Sequence, residues 1–431
     1  MKTPGLPFLA VALLAGVILN AAAPAVPPPP GVVVATSPNP EHNFVGSPSL
    51  LILPDGSYLV SHDFFGKKTD PDAKALLHSS RVFSSRDKGQ TWTQLAHLQD
   101  QFWSTLFYHN GAVWLLGANR EYGEIAIRQS SDGGRTWTTP ADARSGLLTE
   151  RGGREFHCAP VPVVIHNGRI WRAFEDYTGG PEQKWSGDYF GALVISAPVE
   201  ADLLDAKSWT LAKRVAFKPK WLPGPRNGWL EGNVVPGPGG RLVEIMRLND
   251  DPPTPAAKDF PHTGSAAGIP RFETAALLEV KDEKTLTFDP KTGFIHFPGG
   301  ITKFTIRHDP RTNRYWSLIN KITNPQPDYT GRDHPRVQRN VIMLTSSPDL
   351  RNWTEHSVIL RWGEGRRLTN RDKFGFQYLD WQFDGDDLIA VSRTAWDAYN
   401  IHNSNCVTFH RIKNFRTLTM ADSPPDLAHG Q

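Results

Sequence analysis

The chain has 431 residues, 47 basic and 44 acidic side chains for a formal charge of +3, and two cysteines. So balanced a charge, with no long basic block, argues against a nucleic-acid partner. Two cysteines in this length exclude a disulfide-built scaffold, although Cys158 and Cys406 could form one bridge, so the core must come from packing.

The first segment reads as an address. Lys2 gives a small positive start, Leu6 to Leu19 is almost wholly apolar, and Asn20-Ala21-Ala22-Ala23 offers small residues for a peptidase. The run is short for a bilayer span and no stop-transfer pattern follows, so residues 1–23 are expected to be a signal peptide. The chain is then secreted or periplasmic, without stable membrane insertion after cleavage; a retained anchor is the alternative. Residues 24–40 form a Pro-rich lead, with Pro27 to Pro30 as a stiff spacer and a possible closing strand at Val32 to Ala35.

From residue 41 onward, short runs of Val, Ile, Leu and aromatics are punctuated by Gly, Asn and Asp, the pattern of β-hairpins. Leu50 to Leu53 turns at Asp55-Gly56 into Tyr58 to Val60. Thr105 to Tyr108 turns at Asn110-Gly111 into Val113 to Leu116, and Val161 to Ile165 turns at Asn167-Gly168 into Ile170-Trp171. Asn233 to Val235, Lys303 to Ile306 and Tyr378 to Phe383 open three more hairpins, turning at Gly239-Gly240, near Asn313 and at Asp384-Gly385. Asn-Gly and Asp-Gly supply the positive φ that tight hairpins need. The turns recur every 55–73 residues, room for one four-stranded sheet each. Six such units predict an all-β, six-bladed β-propeller over residues 41–431, its ring closed by Val32 to Ala35 beside Cys406 to His410.

Ser85-Arg86-Asp87-Lys88-Gly89-Gln90-Thr91-Trp92 and Ser130-Ser131-Asp132-Gly133-Gly134-Arg135-Thr136-Trp137 share one pattern, Ser-x-Asp-x-Gly-x-Thr-Trp. Ser and Asp there bond nearby backbone N–H groups and Trp plugs the seam. Asp87 and Asp132 are therefore structural. Ser347 to Trp353 is a shortened relative.

These units are the Asp-box pattern, and two copies in a six-repeat β chain resemble the sialidase (neuraminidase) superfamily. The resemblance implies roles for particular residues. Glu231, in Trp229-Leu230-Glu231-Gly232-Asn233, resembles the glutamate that polarises a tyrosine nucleophile. Tyr378, in Phe376-Gln377-Tyr378-Leu379-Asp380, resembles that nucleophile. Arg247 and Arg339 resemble two of three arginines clamping the sialic carboxylate, with Arg336 as a fallback for Arg339. Glu231 and Arg247 could equally form a structural ion pair. Sialidases open the first repeat with Arg-Ile-Pro; here Gly46-Ser47-Pro48 keeps the proline and places glycine at the arginine, so strong sialic acid selection is not expected.

Asp63, after the Tyr58 to Val60 strand, is the expected acid/base, with Asp70 and Asp72 nearby. His157, in Arg154-Glu155-Phe156-His157, either serves a leaving group and hydroxyls or caps a loop. Arg154, Arg120, Glu121, Glu175, Asp176, Arg393, His402 and Asn403 are rim candidates. No metal signature and no phosphate cradle is present, so neither metal nor cofactor is expected. Irregular inserts at 252–268 and 324–337 are expected to wall the cleft. Tryptophan rings suit the C–H faces of a pyranose. The expected function is an exported glycoside hydrolase on a non-sialic, possibly acidic glycan, with Tyr378, Glu231 and Asp63 as its machinery. A polysaccharide lyase on a uronate-containing glycan and a non-catalytic glycan-binding propeller are the alternatives. Nothing announces an oligomer interface.

Overall fold

The structure, a computed structural model, describes residues 1, 26–67, 69–180, 184–222, 224, 226–250, 271–324 and 334–428. The expected signal-peptide region beyond Met1, the insert at 252–268 and residues 325–333 of the second insert lie outside the described residues. Among those described, no helix is long and apolar enough to cross a membrane.

Six small antiparallel sheets form the six blades. Blade 1 runs from Asn43–Val45 and Ser49–Ile52 through Tyr58–Gly66 and Ser79–Ser85 to Thr93–Gln99. Blade 2 is Phe102–His109, Ala112–Ala118 and Ile125–Ser130, with only three strands. Its expected fourth strand is reduced to one bridge, Ala126 to Leu147; the polar run after Pro140 offers little to a pleated, half-buried surface. Glu155–His157 with Val164–His166, then Arg169–Tyr177 and Phe190–Pro198, build blade 3. Gly228–Pro236, Leu242–Asn249 and Thr274–Asp282 carry blade 4, and Thr305–Asp309, Arg314–Asn320, Val341–Ser347 and Thr354–Arg361 carry blade 5.

Blade 6 is built from both ends of the described chain. Gly375–Asp384, Asp387–Ala395 and Cys406–Ile412 receive Val32–Thr36 as the outer strand, with Val32 opposite Phe409 and Thr36 opposite Cys406. Pairing the two ends leaves the ring without an open seam, which an isolated four-stranded sheet would otherwise expose. Apolar clusters fill the spaces between blades. One of them packs Val34, Ala35, Val45, Val60, Val391 and Phe409 across the closure.

The eight-residue turns satisfy themselves. Asp87 accepts from the Thr91 N–H at 2.9 Å and the Thr91 hydroxyl at 2.5 Å, and Ser85 Oγ accepts from Gly89 N–H at 2.8 Å. Asp132 repeats this with Thr136. Cys158 and Cys406 are both buried and free, in blades 3 and 6, so the possible bridge is absent.

Candidate functional site

Three alternate blades open their innermost strands in the same way. Register breaks between Phe102 and Thr105, Leu230 and Asn233, and Gln377 and Asp380. Inside each break one non-glycine residue takes a left-handed backbone: Trp103 at φ 48°, Glu231 at φ 52° and Tyr378 at φ 54°. Such backbone costs about 1–3 kcal/mol a residue and persists where the fold over-determines it. A bulge re-aims a side chain; here the three line one cavity of about 330 Å³.

Tyr378 donates its hydroxyl to Glu231 Oε1 at 2.6 Å, and Arg247 Nη1 donates to Glu231 Oε2 at 2.6 Å. Burial favours the neutral acid at Glu231, but Arg247, His157 and the tyrosine hydroxyl outweigh it and hold the carboxyl below its ordinary value. Burial and the Glu231 charge raise the Tyr378 phenol. The pair therefore rests as carboxylate and neutral phenol, with the proton already directed at its acceptor.

Asp63 is 1% exposed. One oxygen accepts the Trp103 N–H at 2.6 Å; the other, Oδ1, is buried without a hydrogen-bond partner. Burial pushes its carboxyl up to about 7, against the lowering pull of the Trp103 amide and Arg393. A Cβ on Gly46 would lie 1.5 Å from Asp63 Oδ1. Residue 46 is glycine because the carboxyl occupies the place of its side chain.

His157 Nδ1 meets Glu175 Oε2 at 2.6 Å, and Glu175 Oε1 accepts the Gly232 N–H at 3.0 Å. Glu175 thus ties the imidazole to the bulge that carries Glu231. The His157 ring lies 4.4 Å from the Trp103 ring, edge to face. Arg339 and Arg393 bring their guanidinium carbons to 5.7 and 5.0 Å from the Tyr378 ring centre. Arg339 donates to Gln377 and Arg393 to the His402 carbonyl, while Arg393 Nε is buried and unpartnered. Four arginines (247, 336, 339 and 393) face three carboxyls (Asp63, Glu121 and Glu231) in the lining. The arginines outnumber the carboxyls, and protonation of Asp63 widens that excess.

The structure thus brings together Tyr378, Glu231, Asp63, Arg247, Arg339, His157 and Arg393. Arg120 and Arg154 are not in this lining: Arg120 pairs with Glu124 and Arg154 with Asp176, each at the rim and 40% or more exposed. Asp70 caps the short helix Pro71–Leu76 by accepting from Ala73 N–H; the Asp72 side chain lies outside the described residues. Sequence reasoning missed Trp103, Tyr122, Trp185 and Phe65, which line the cavity. Phe102-Trp103 immediately precedes the Thr105 hairpin, as Glu231 and Tyr378 precede theirs; that shared placement was the available signal.

No family model and no curated protein matches the chain. Solved structures do. The α-L-arabinanase of Penicillium chrysogenum complexed with arabinobiose aligns over 90% of this chain and 98% of its own at 13% identity, with a TM-score of 0.51. The α-L-arabinofuranosidase of Fusarium graminearum, in complex with an iminosugar inhibitor, aligns over 89% and 97% at 12% identity and 0.53. A Hadza microbial sialidase aligns over 86% of this chain and 66% of its own at 15% identity and 0.52. At these identities the likeness speaks for the shared fold.

Proposed function

We propose that the chain is an exported glycoside hydrolase that acts on a non-sialic, acidic glycan through Tyr378. The observation that carries this reading is the 2.6 Å hydrogen bond from the Tyr378 hydroxyl to an ionised, arginine-paired Glu231. As the phenol oxygen attacks the anomeric carbon, its proton passes to Glu231 Oε1. The glycosidic C–O bond breaks, and Asp63, protonated below about pH 7, gives its proton to the leaving oxygen. Water then attacks the tyrosyl-linked carbon with Asp63 as base, and Glu231 returns the proton to Tyr378. A neutral nucleophile suits an anionic sugar, because a carboxylate in that place would repel the substrate's own.

Arg247, Arg339 and Arg393 around the phenol supply the opposite charge for such a sugar. The solved propellers of the same fold include an arabinanase, an arabinofuranosidase and a sialidase, which supports a carbohydrate as ligand. The exclusion of a side chain at Gly46 argues against a sialidase-type clamp from that strand.

The test is purified protein against simple α-sialosides and a panel of uronate-containing glycans, with products read by mass and near-ultraviolet absorbance. Saturated products from an acidic glycan, and a loss of about two to three orders of magnitude in kcat for Tyr378→Phe, are expected. Efficient sialoside turnover would refute the specificity. A second reading, a polysaccharide lyase, is favoured by the His157–Glu175 pair, a carboxylate-oriented imidazole suited to take a proton beside a uronate carboxylate. It predicts an unsaturated product absorbing near the ultraviolet edge, and loss of that product in His157→Ala.

A further inference from the structure

A second cavity, of about 300 Å³, adjoins the first and shares Arg336, Arg339 and His402 with it. Its other walls come from three loops: Val337 before the third strand of blade 5, Asn370 between blades 5 and 6, and Asn400, Ile401 and Asn403 between Asp387–Ala395 and Cys406–Ile412 of blade 6. Neither a cation cluster nor an apolar groove describes it. Three carboxamides converge on it with a short aliphatic wall.

Its amides are available. The Asn400 side-chain oxygen Oδ1 accepts the Asn403 backbone N–H at 2.7 Å, and Asn403 Oδ1 meets His402 Nδ1 at 2.8 Å. These contacts hold the loop while leaving the NH₂ groups of Asn400 and Asn403 outside the internal hydrogen bonds. The Asn370 side chain is exposed and makes none among the described residues. A carboxamide offers two donors and an acceptor, which matches the mixed hydroxyls of a sugar ring, while Ile401 and Val337 suit its C–H face. Asp63, Trp103 and His157 line only the first cavity. The second one therefore lies on the arginine side of Tyr378, away from the group assigned to protonate the leaving oxygen.

We infer that this cavity is a second sugar subsite, taking the hydroxyl-rich ring next to the one seated on Tyr378, on the side retained after cleavage. The inference rests on the hydrolase reading for its direction, and on the shared lining for its continuity. Binding then grows with glycan length: two linked rings fill both cavities, one ring fills only the first.

Calorimetric titration of the full chain carrying Tyr378→Phe with oligouronates of one to four residues tests this. Affinity is expected to rise about tenfold from one residue to two, the scale of one or two added hydrogen bonds. Asn370→Ala, which removes a side chain with no internal hydrogen bond among the described residues, should lose most of that gain while keeping the one-residue affinity, which also shows that it is folded. Equal affinity at every length, no binding at any length, or a gain that survives in Asn370→Ala would overturn the subsite. The hydrolase reading fails separately, if the wild-type chain cleaves no acidic glycan or Tyr378→Phe still cleaves its substrate.

Discussion

At the residue scale, Gly46 and Asp63 are one feature. The carboxyl of Asp63 lies where a side chain at 46 would begin, and a Cβ cannot be 1.5 Å from an oxygen. Gly46→Arg is therefore expected to displace Asp63 and to reduce turnover of the acidic substrate by at least about a hundredfold, without creating sialoside activity. Kinetics on both substrates check this. Asp63 also sets a pH limit. Its carboxyl is raised from 3.8 to about 7 in the fold, so below pH 7 it is the proton donor the first step needs, and above pH 7 activity should fall. The stability sign follows from the same shift: between about pH 4 and 7 the folded state holds a proton that the unfolded state has lost. Stability from this site is full below pH 4 and is lost as pH rises through 7. Asp63→Asn should remove that slope in denaturant titrations taken at successive pH values.

At the element scale, the outer strand of blade 6 is the latch of the ring. Val34 is buried in the cluster with Val391 and Phe409, whereas its neighbour Val33 is 39% exposed. Val34→Asp buries an unpaired charge and should cost about 3 kcal/mol or more; Val33→Asp should stay within about 0.5 kcal/mol. Thermal melts of the two variants compare burial within one strand. The bulges of blades 2, 4 and 6 act at this scale as well. They spend backbone strain on turning Trp103, Glu231 and Tyr378 toward one opening.

For the whole molecule, buried imidazoles decide the acid limb. His62 and His410 sit in blades 1 and 6, and burial lowers both from 6.5 to about 4. His62 is hemmed by Arg81, Phe64, Phe83 and His97, and His410 by Thr408. Because the folded values lie below the unfolded one, their contribution is full above pH 6.5 and is lost as pH falls through 4. Together they are worth on the order of a few kcal/mol. A double variant, His62→Gln with His410→Gln, should shift the acid-unfolding midpoint, followed by near-ultraviolet circular dichroism, to lower pH.

The hairpin turns were legible in the chain because Asn-Gly, Asp-Gly and Gly-Gly carry backbone angles that few other residues adopt; five such turns and a sixth near Asn313, at near-regular spacing, leave little besides a radial array. Glu231, Arg247, Arg339 and Tyr378 were legible through the segments that resemble the sialidase pattern: Glu231 and Tyr378 near the starts of the innermost strands of blades 4 and 6, Arg247 near the end of the second strand of blade 4, and Arg339 just before the third strand of blade 5. Local sequence could not show that blade 2 would stop at three strands, nor that Asp63 would fill the space beside Gly46. The same holds for the rim pairings: nearby carboxylates hold Arg120 and Arg154 outside the lining, while Arg393 reaches Tyr378. Apart from the Arg120–Glu124 pair, which is four residues apart, these outcomes depend on contacts between separate strands that only the folded blades set. Turn chemistry is local and the chain states it directly; the charge and shape of the cavity are sums over six blades, so tertiary structure decides them.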